Sequence, residues 1–233
     1  MKIAFTLITL ALLFASPAHA NMLVYPMQLK LSGKKEVSST LKVTSQSDTT
    51  QYIRVSLKEV LHPATPQEKE VDVANWQGQG IILSPMKFAL PAGASKTVRV
   101  ISLNNVEAER IFRAYFEPVA GESNEDSTAA QIQGQVALTL IWGVLIRQVP
   151  DKPIYTLQRG KDAALVNNGN VRVQLHSYSQ CENSQRDDQC RWNTLTNRIY
   201  PKETLRLSGI TQNKPLRVRY MTENEKLQSV TLF

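Results

Sequence analysis

Outside its first twenty positions, the chain offers two cysteines, two histidines and a few close carboxylates as candidate chemistry. Cys181 and Cys190 enclose a short polar segment, a spacing open to a disulfide, a thiol pair or half of a zinc site. A zinc site needs further ligands, and no second Cys pair or neighbouring His supplies them. His62 precedes Pro63 and reads as a solvated loop side chain, while His176 stands alone; neither sits in a triad or metal motif. Glu68 and Glu70 lie in a polar segment and read as solvated rather than as an acid/base pair. Gly78-Gln79-Gly80 lacks a third glycine and a following helix pattern, so it reads as a turn. No G-x-S-x-G elbow, H-E-x-x-H or phosphate-cradling loop occurs. The residue types therefore point away from catalysis and imply no metal and no cofactor.

Charge invites a different reading. Lys and Arg total 27 against 20 Asp and Glu, a formal net charge of +7. The basic residues stand singly, often beside acids, as in Lys58-Glu59, Arg186-Asp187 and Lys202-Glu203. No basic stripe interleaved with aromatics emerges, which argues against a nucleic-acid partner. Arg217 and Arg219 share one face of a strand and read as solvated. The 42% hydrophobic content excludes a disordered chain, and two cysteines exclude a disulfide-dense scaffold.

The first residues read as an address. Met1-Lys2 is followed by a mostly apolar run from Ile3 to Ala15 and by Ser16-Pro17-Ala18-His19-Ala20. A positive start, an apolar centre and a small-x-small end make a secretory signal peptide over 1–20, cut after Ala20. The run is shorter than the ~18–20 residues a spanning helix needs, and no later stretch qualifies, so no stable membrane insertion is expected. Export also decides between the cysteine alternatives: an oxidising compartment favours a Cys181–Cys190 bridge.

The elements that would position any site follow a period of two. Leu23 to Leu31, Val37 to Val43, Ile53 to Leu57, Ile81 to Leu83, Val98 to Leu103, Ile111 to Phe116 and Val136 to Ile146 are strand-length apolar segments between polar turns. That pattern predicts an all-β sandwich fold. One short helix is expected, capped by Asn105 and covering Val106 to Arg110. Pro150 and Pro153 cannot continue a central strand and suit a stiff connection. The division is then 21–149 and 150–233, each large enough for its own core. The polar tract Gly121 to Ala130 reads as a long hairpin loop. After it, Val136, Leu138, Leu140 and Trp142 occupy one strand face and Ala137, Thr139 and Ile141 the other, without a charge until Arg147. Such a strand is either central and buried on both faces, or an edge kept apolar for a partner strand.

These residues resemble the periplasmic chaperones of chaperone–usher pilus assembly. Leu90-Pro91-Ala92-Gly93 with Ser95-Lys96-Thr97-Val98-Arg99 is similar to that family's turn-and-strand signature. Ile111-Phe112-Arg113-Ala114-Tyr115-Phe116 resembles its penultimate strand, and the apolar run that follows resembles its donor strand. Asn167 to Val173 and Tyr200-Pro201 resemble strand starts of the second domain. Tyr25-Pro26, Thr50 to Ile53 and Asn75-Trp76-Gln77-Gly78 are closest to the alpha-type (class 5) branch. The resemblance implies two immunoglobulin-like β-sandwich domains joined at an angle, like a boomerang. It implies a periplasmic, non-enzymatic protein that caps fimbrial major and minor subunits by lending them Val136, Leu138, Leu140 and Trp142, then delivers them to an outer-membrane usher. It also implies basic cleft residues holding the subunit's terminal carboxylate. Arg147 fits one, Lys30 is the cation nearest the other expected position, occupied by Gln28, and Arg113 is a further candidate. Self-association of the free chain through its apolar strand stays open. The rival reading is an exported structural pilus subunit or adhesin, which should carry an alternating apolar extension at its mature start. Here Tyr25-Pro26 follows almost at once.

Overall fold

The computed structural model describes residues 21–73, 80–119, 139–182 and 185–233. The expected leader, the tract 121–130, Val136, Leu138 and the Asn75 to Gly78 motif lie outside the described residues. Before Pro150 the described strands are β1 (Met22–Tyr25), β2 (Gln28–Ser32), β3 (Ser38–Ser45), β4 (Gln51–Leu61) and β5 (Lys69–Asp72). They continue with β6 (Ile81–Ser84), β7 (Lys87–Leu90), β8 (Ser95–Ser102), β9 (Arg110–Val119) and β10 (Trp142–Val149). Two sheets result, ordered β1-β3-β8-β6 and β2-β10-β9-β4-β5, with β7 also paired to β4. Alternation dictates which side chains meet between them. Leu41 and Val43 of β3, Val98 and Val100 of β8, Ile53 and Val55 of β4, Phe112 and Phe116 of β9, and Val144 and Ile146 of β10 fill the core.

The segment Leu23 to Leu31 divides between the layers. β1 pairs with β3 in one sheet, whereas β2 runs parallel to β10 in the other. The short helix expected over Val106 to Arg110 does not form. β9 starts at Arg110, and the Glu109 N–H is held by the Asn170 carbonyl at 2.8 Å. So short a segment does not offset the cost of helix nucleation once its donors are engaged elsewhere. The polar segment around Glu70 is likewise more ordered than its composition suggests, because β5 pairs with the far end of β4.

Beyond Pro153 come β11 (Leu157–Arg159), β12 (Ala164–Asn167), β13 (Val173–Ser179), β14 (Asn193–Thr194), β15 (Arg198–Ile199), β16 (Thr204–Arg206), β17 (Leu216–Met221) and β18 (Leu227–Leu232). They form sheets β11-β12-β16 and β14-β13-β17-β18, with β15 on β13. Leu165, Val173, Leu175, Ile199, Leu216 and Val218 are the centre of this second core. The architecture is all-β, two immunoglobulin-like sandwiches in sequence. A third, small apolar cluster joins them: Val60 of β4 and Ile111 of β9 pack with Tyr200, and Leu145 leans on the same group. Val60, Ile111 and Leu145 have the opposite parity to the core residues of their strands. Their burial comes from the second sandwich covering the outer face of the sheet near the connection.

Candidate functional site

β10 is buried at one end and open at the other. Val144 and Ile146 are fully buried in the first core, and Trp142 packs against its margin. One step further along the same face, Leu140 is 53% exposed, and its neighbour Ile141 is 52% exposed. By sequence, the same alternation continues outward through Leu138 and Val136. The strand's edges differ in the same way. β9 pairs with β10 from Trp142 to Gln148, but β2 pairs with it only from Leu145 to Val149. The Leu145 N–H reaches the Met27 carbonyl at 3.0 Å, and upstream of it that edge has no strand partner among the described residues. The buried Trp142 indole N–H has no partner among the described residues either. Unpaired main-chain groups beside exposed alternate apolar side chains are the arrangement that accepts a further strand.

Arg147 lies five residues downstream of Trp142, on the outer face of β10, beside Ile111 of β9 and Lys30 of β2. Only 2% of the residue is exposed. Its Nε donates to Glu109 Oε1 at 2.7 Å, and its two terminal nitrogens donate to the two oxygens of Glu223, in the β17–β18 turn. Glu109 Oε2 in turn accepts the Arg172 backbone N–H at 2.6 Å, and the Glu223 N–H donates to the Tyr155 hydroxyl at 2.9 Å. Both carboxylates thus clamp one guanidinium from opposite domains. Burial disfavours the charge on Arg147, but the hydrogen bonds and charges of Glu223 and Glu109 outweigh it and raise its pKa. Burial also works against ionised Glu223. Its hydrogen bonds to Arg147, with the charges of Arg147, Arg172 and Lys30, hold its carboxyl below the usual carboxylate range.

The other basic candidates are placed differently. Lys30 is exposed on β2 and shares the hollow beside Pro150 with Glu223 and Asn224. Arg113 lies across β9, paired with Glu70 and, at 3.6 Å, with Glu68. Tyr115 donates to the same Glu70 carboxylate at 2.7 Å. Glu68 and Glu70 therefore neutralise Arg113 rather than standing solvated. Gly143 makes room for this network, since a Cβ there would come within 3.3 Å of the Tyr115 ring and 3.4 Å of Arg113 Cδ. The structure brings Arg147 and Lys30 together on adjacent strands and sets Arg113 on the far side of Leu145.

Three sets of residues had no signal in the sequence pattern. Glu109, Glu223 and Arg172 are single charges from three separate segments, and only the meeting of the domains makes them one cluster. His62 is not merely solvated: its Nδ1 lies 2.9 Å from Glu203 Oε1 in the second sandwich. Arg217 and Arg219 converge on Asp187, at 2.9 and 2.7 Å, and Arg219 stacks on Trp192 with its guanidinium carbon 3.7 Å from the ring centre. Cys181 and Cys190 are bridged, so Asp187 ties the disulfide loop to β17. A shared strand face, visible in the sequence, was the clue to the arginine pair; their acid partner was not legible.

Comparison with known proteins places this geometry. No family model matches the chain. It is 33% identical over 192 residues to a fimbrial protein of the CFA/I system of Escherichia coli, covering 80% of this chain and 79% of that protein. The crystal structure of the class 5 fimbriae chaperone CfaA superposes with a TM-score of 0.78 at 28% identity, covering 91% of this chain and 99% of that one. A chaperone from a chaperone–tip adhesin complex of CFA/I fimbriae biogenesis gives 0.77 at 30% identity, covering 91% and 97%. With two immunoglobulin-like sandwiches, an apolar strand open along one edge and relatives of this kind across most of its length, the chain belongs to the class 5 fimbrial chaperones of the chaperone–usher pathway.

Proposed function

We propose that the protein works in the periplasm, without catalysis or cofactor, by lending the strand that runs into β10 to fimbrial major and minor subunits and passing them to an outer-membrane usher. The two units are 21–149, which carries the strand, and 150–233. Val136, Leu138, Leu140 and Trp142 are the side chains donated. The observation that carries this reading is the unpaired edge upstream of Leu145, where exposed Leu140 continues the alternation of the core. Main-chain hydrogen bonds along such an edge are generic, whereas each donated side chain that becomes buried contributes about 1.5–3 kcal/mol. Pilin capture is thus concentrated in a few plugs.

The terminal carboxylate of the subunit is assigned to Lys30, whose ammonium is exposed beside the buried Arg147. Arg147 itself holds the domain junction through Glu109 and Glu223, and Arg113 braces the sheet beside the donor strand through Glu70. Co-expression with the cognate subunit tests the reading. Leu138→Asp and Leu140→Asp should each abolish the equimolar complex while leaving the chaperone's unfolding transition in place. Retention of the complex by both variants would remove the donor-strand assignment. Lys30→Glu should lower the yield of complex, and an unchanged yield would return Lys30 to an ordinary surface role.

A further inference from the structure

The apolar surface around the open edge does not end with the donor strand. Tyr25 is 71% exposed and Met27 41%, in the turn where the chain leaves β1 and enters β2. Leu140 and Ile141, at 53% and 52%, lie on the adjoining strand. These four exposed apolar side chains gather at one end of one sandwich. From Leu23 to Leu29 the chain carries no charged residue. A charge-free, exposed apolar turn beside an unpaired edge departs from the usual protection of such edges by lysine, proline or an inward-pointing charge.

Register defines what this turn faces. β2 lies parallel to β10, with Gln28 opposite Leu145. One step back along the same register sets Met27 beside Val144, and the Met27 carbonyl already holds the Leu145 N–H. A strand added to β10 upstream of Leu145 would occupy the lane that β2 occupies further on. That lane is closed by Met27, so the added strand must stop there.

We propose that Tyr25 and Met27 form an apolar stop at the end of this lane, against which the end residue of the subunit's added strand packs. The inference rests on the strand-donation reading above. The lane selects an apolar or aromatic residue at that position of the subunit, because a charged or strongly polar one would be desolvated against Tyr25 and Met27 without a partner. The surface is continuous with the donor edge, which favours the subunit over a second copy of this chain as its occupant. Tyr25 and Met27 are specificity-determining residues here, and Leu138 and Leu140 remain the main source of affinity.

The test uses purified full-length mature chaperone and the cognate subunit, with the mass of the mature N-terminus verified because Tyr25 lies near the leader. Tyr25→Ser with Met27→Ser should weaken the complex about tenfold, since two exposed side chains lose the burial they would gain. The melting temperature of the free chaperone should be unchanged, because neither side chain is in the core. Replacing the subunit's end-of-strand apolar residue by Ser should weaken binding similarly, and the combined changes should cost little more than either alone. Unchanged affinity in the double variant, with Leu140→Asp still abolishing the complex, would overturn the stop and leave strand donation intact. Additive losses, or loss of self-association in place of affinity for the subunit, would also overturn it. Normal binding by Leu140→Asp would instead remove the strand-donation reading on which the stop depends.

Discussion

Arg147 shows how one residue's role depends on its partners. In a solvated cleft a guanidinium is an open receptor for a carboxylate; between Glu109 and Glu223 it is already bound on two sides. A buried pair contributes modestly when intact, but removing one partner strands a charge and costs about 3–5 kcal/mol. Arg147→Met should therefore destabilise the chaperone by roughly that amount in urea unfolding. Adding Glu109→Gln and Glu223→Gln to it should recover much of the loss, because no buried charge is left unpaired. Arg147→Glu should sharply lower the yield of pilin complex by opening the junction. The pH dependence has a definite sign. Glu223 titrates below its unfolded value, so its contribution is fully present above the ordinary carboxylate pKa of about 4.3 and is lost as pH falls through the lower folded value. Melting temperatures from pH 7 down to pH 3 should show a steeper acid decline for the native protein than for Glu223→Gln.

At the scale of elements, the donor strand is supported from beside and across. Gly143 is the one glycine of β10, and glycine normally weakens a strand. Its value here is space for Arg113 and Tyr115 on their way to Glu70. Gly143→Val should cost about 1–3 kcal/mol by overpacking, despite valine's strand preference, with the loss read from denaturant unfolding. In the second sandwich the Cys181–Cys190 loop is held by its bridge and by Asp187 against Arg217 and Arg219. Cys181→Ser with Cys190→Ser should lower stability by roughly 2–3 kcal/mol on the loop-entropy account. The arginine contacts to Asp187 should persist, so the second sandwich should still fold.

For the whole molecule, the junction is built from three unlike contacts: the Arg147 cluster, Tyr200 packed on Val60 and Ile111, and the His62–Glu203 pair. Tyr200→Ala should loosen the mutual orientation of the sandwiches without unfolding either core, seen as a broader small-angle scattering profile and faster proteolysis near Pro150 and Pro153. Much of the fold was legible because strand alternation is local: Ile53 and Val55, Phe112 and Phe116, and Val144 and Ile146 announce their inward faces by period alone. The apolar run ending at Trp142 announced a donor strand for the same reason. Val60, Ile111 and Leu145 did not fit that period, since an outer-face residue is buried only where another domain covers it. Glu109, Arg147 and Glu223 were separate charges in the sequence, and whether a charge binds a partner or a neighbour is decided by atoms brought into hydrogen-bond range across long stretches of chain. The sequence by itself determined an exported all-β protein with one strand too apolar to stand alone. Only the tertiary structure decided which edge of that strand is open and which of its cations is already taken, because edges and ion pairs are properties of neighbours and neighbours are set by folding.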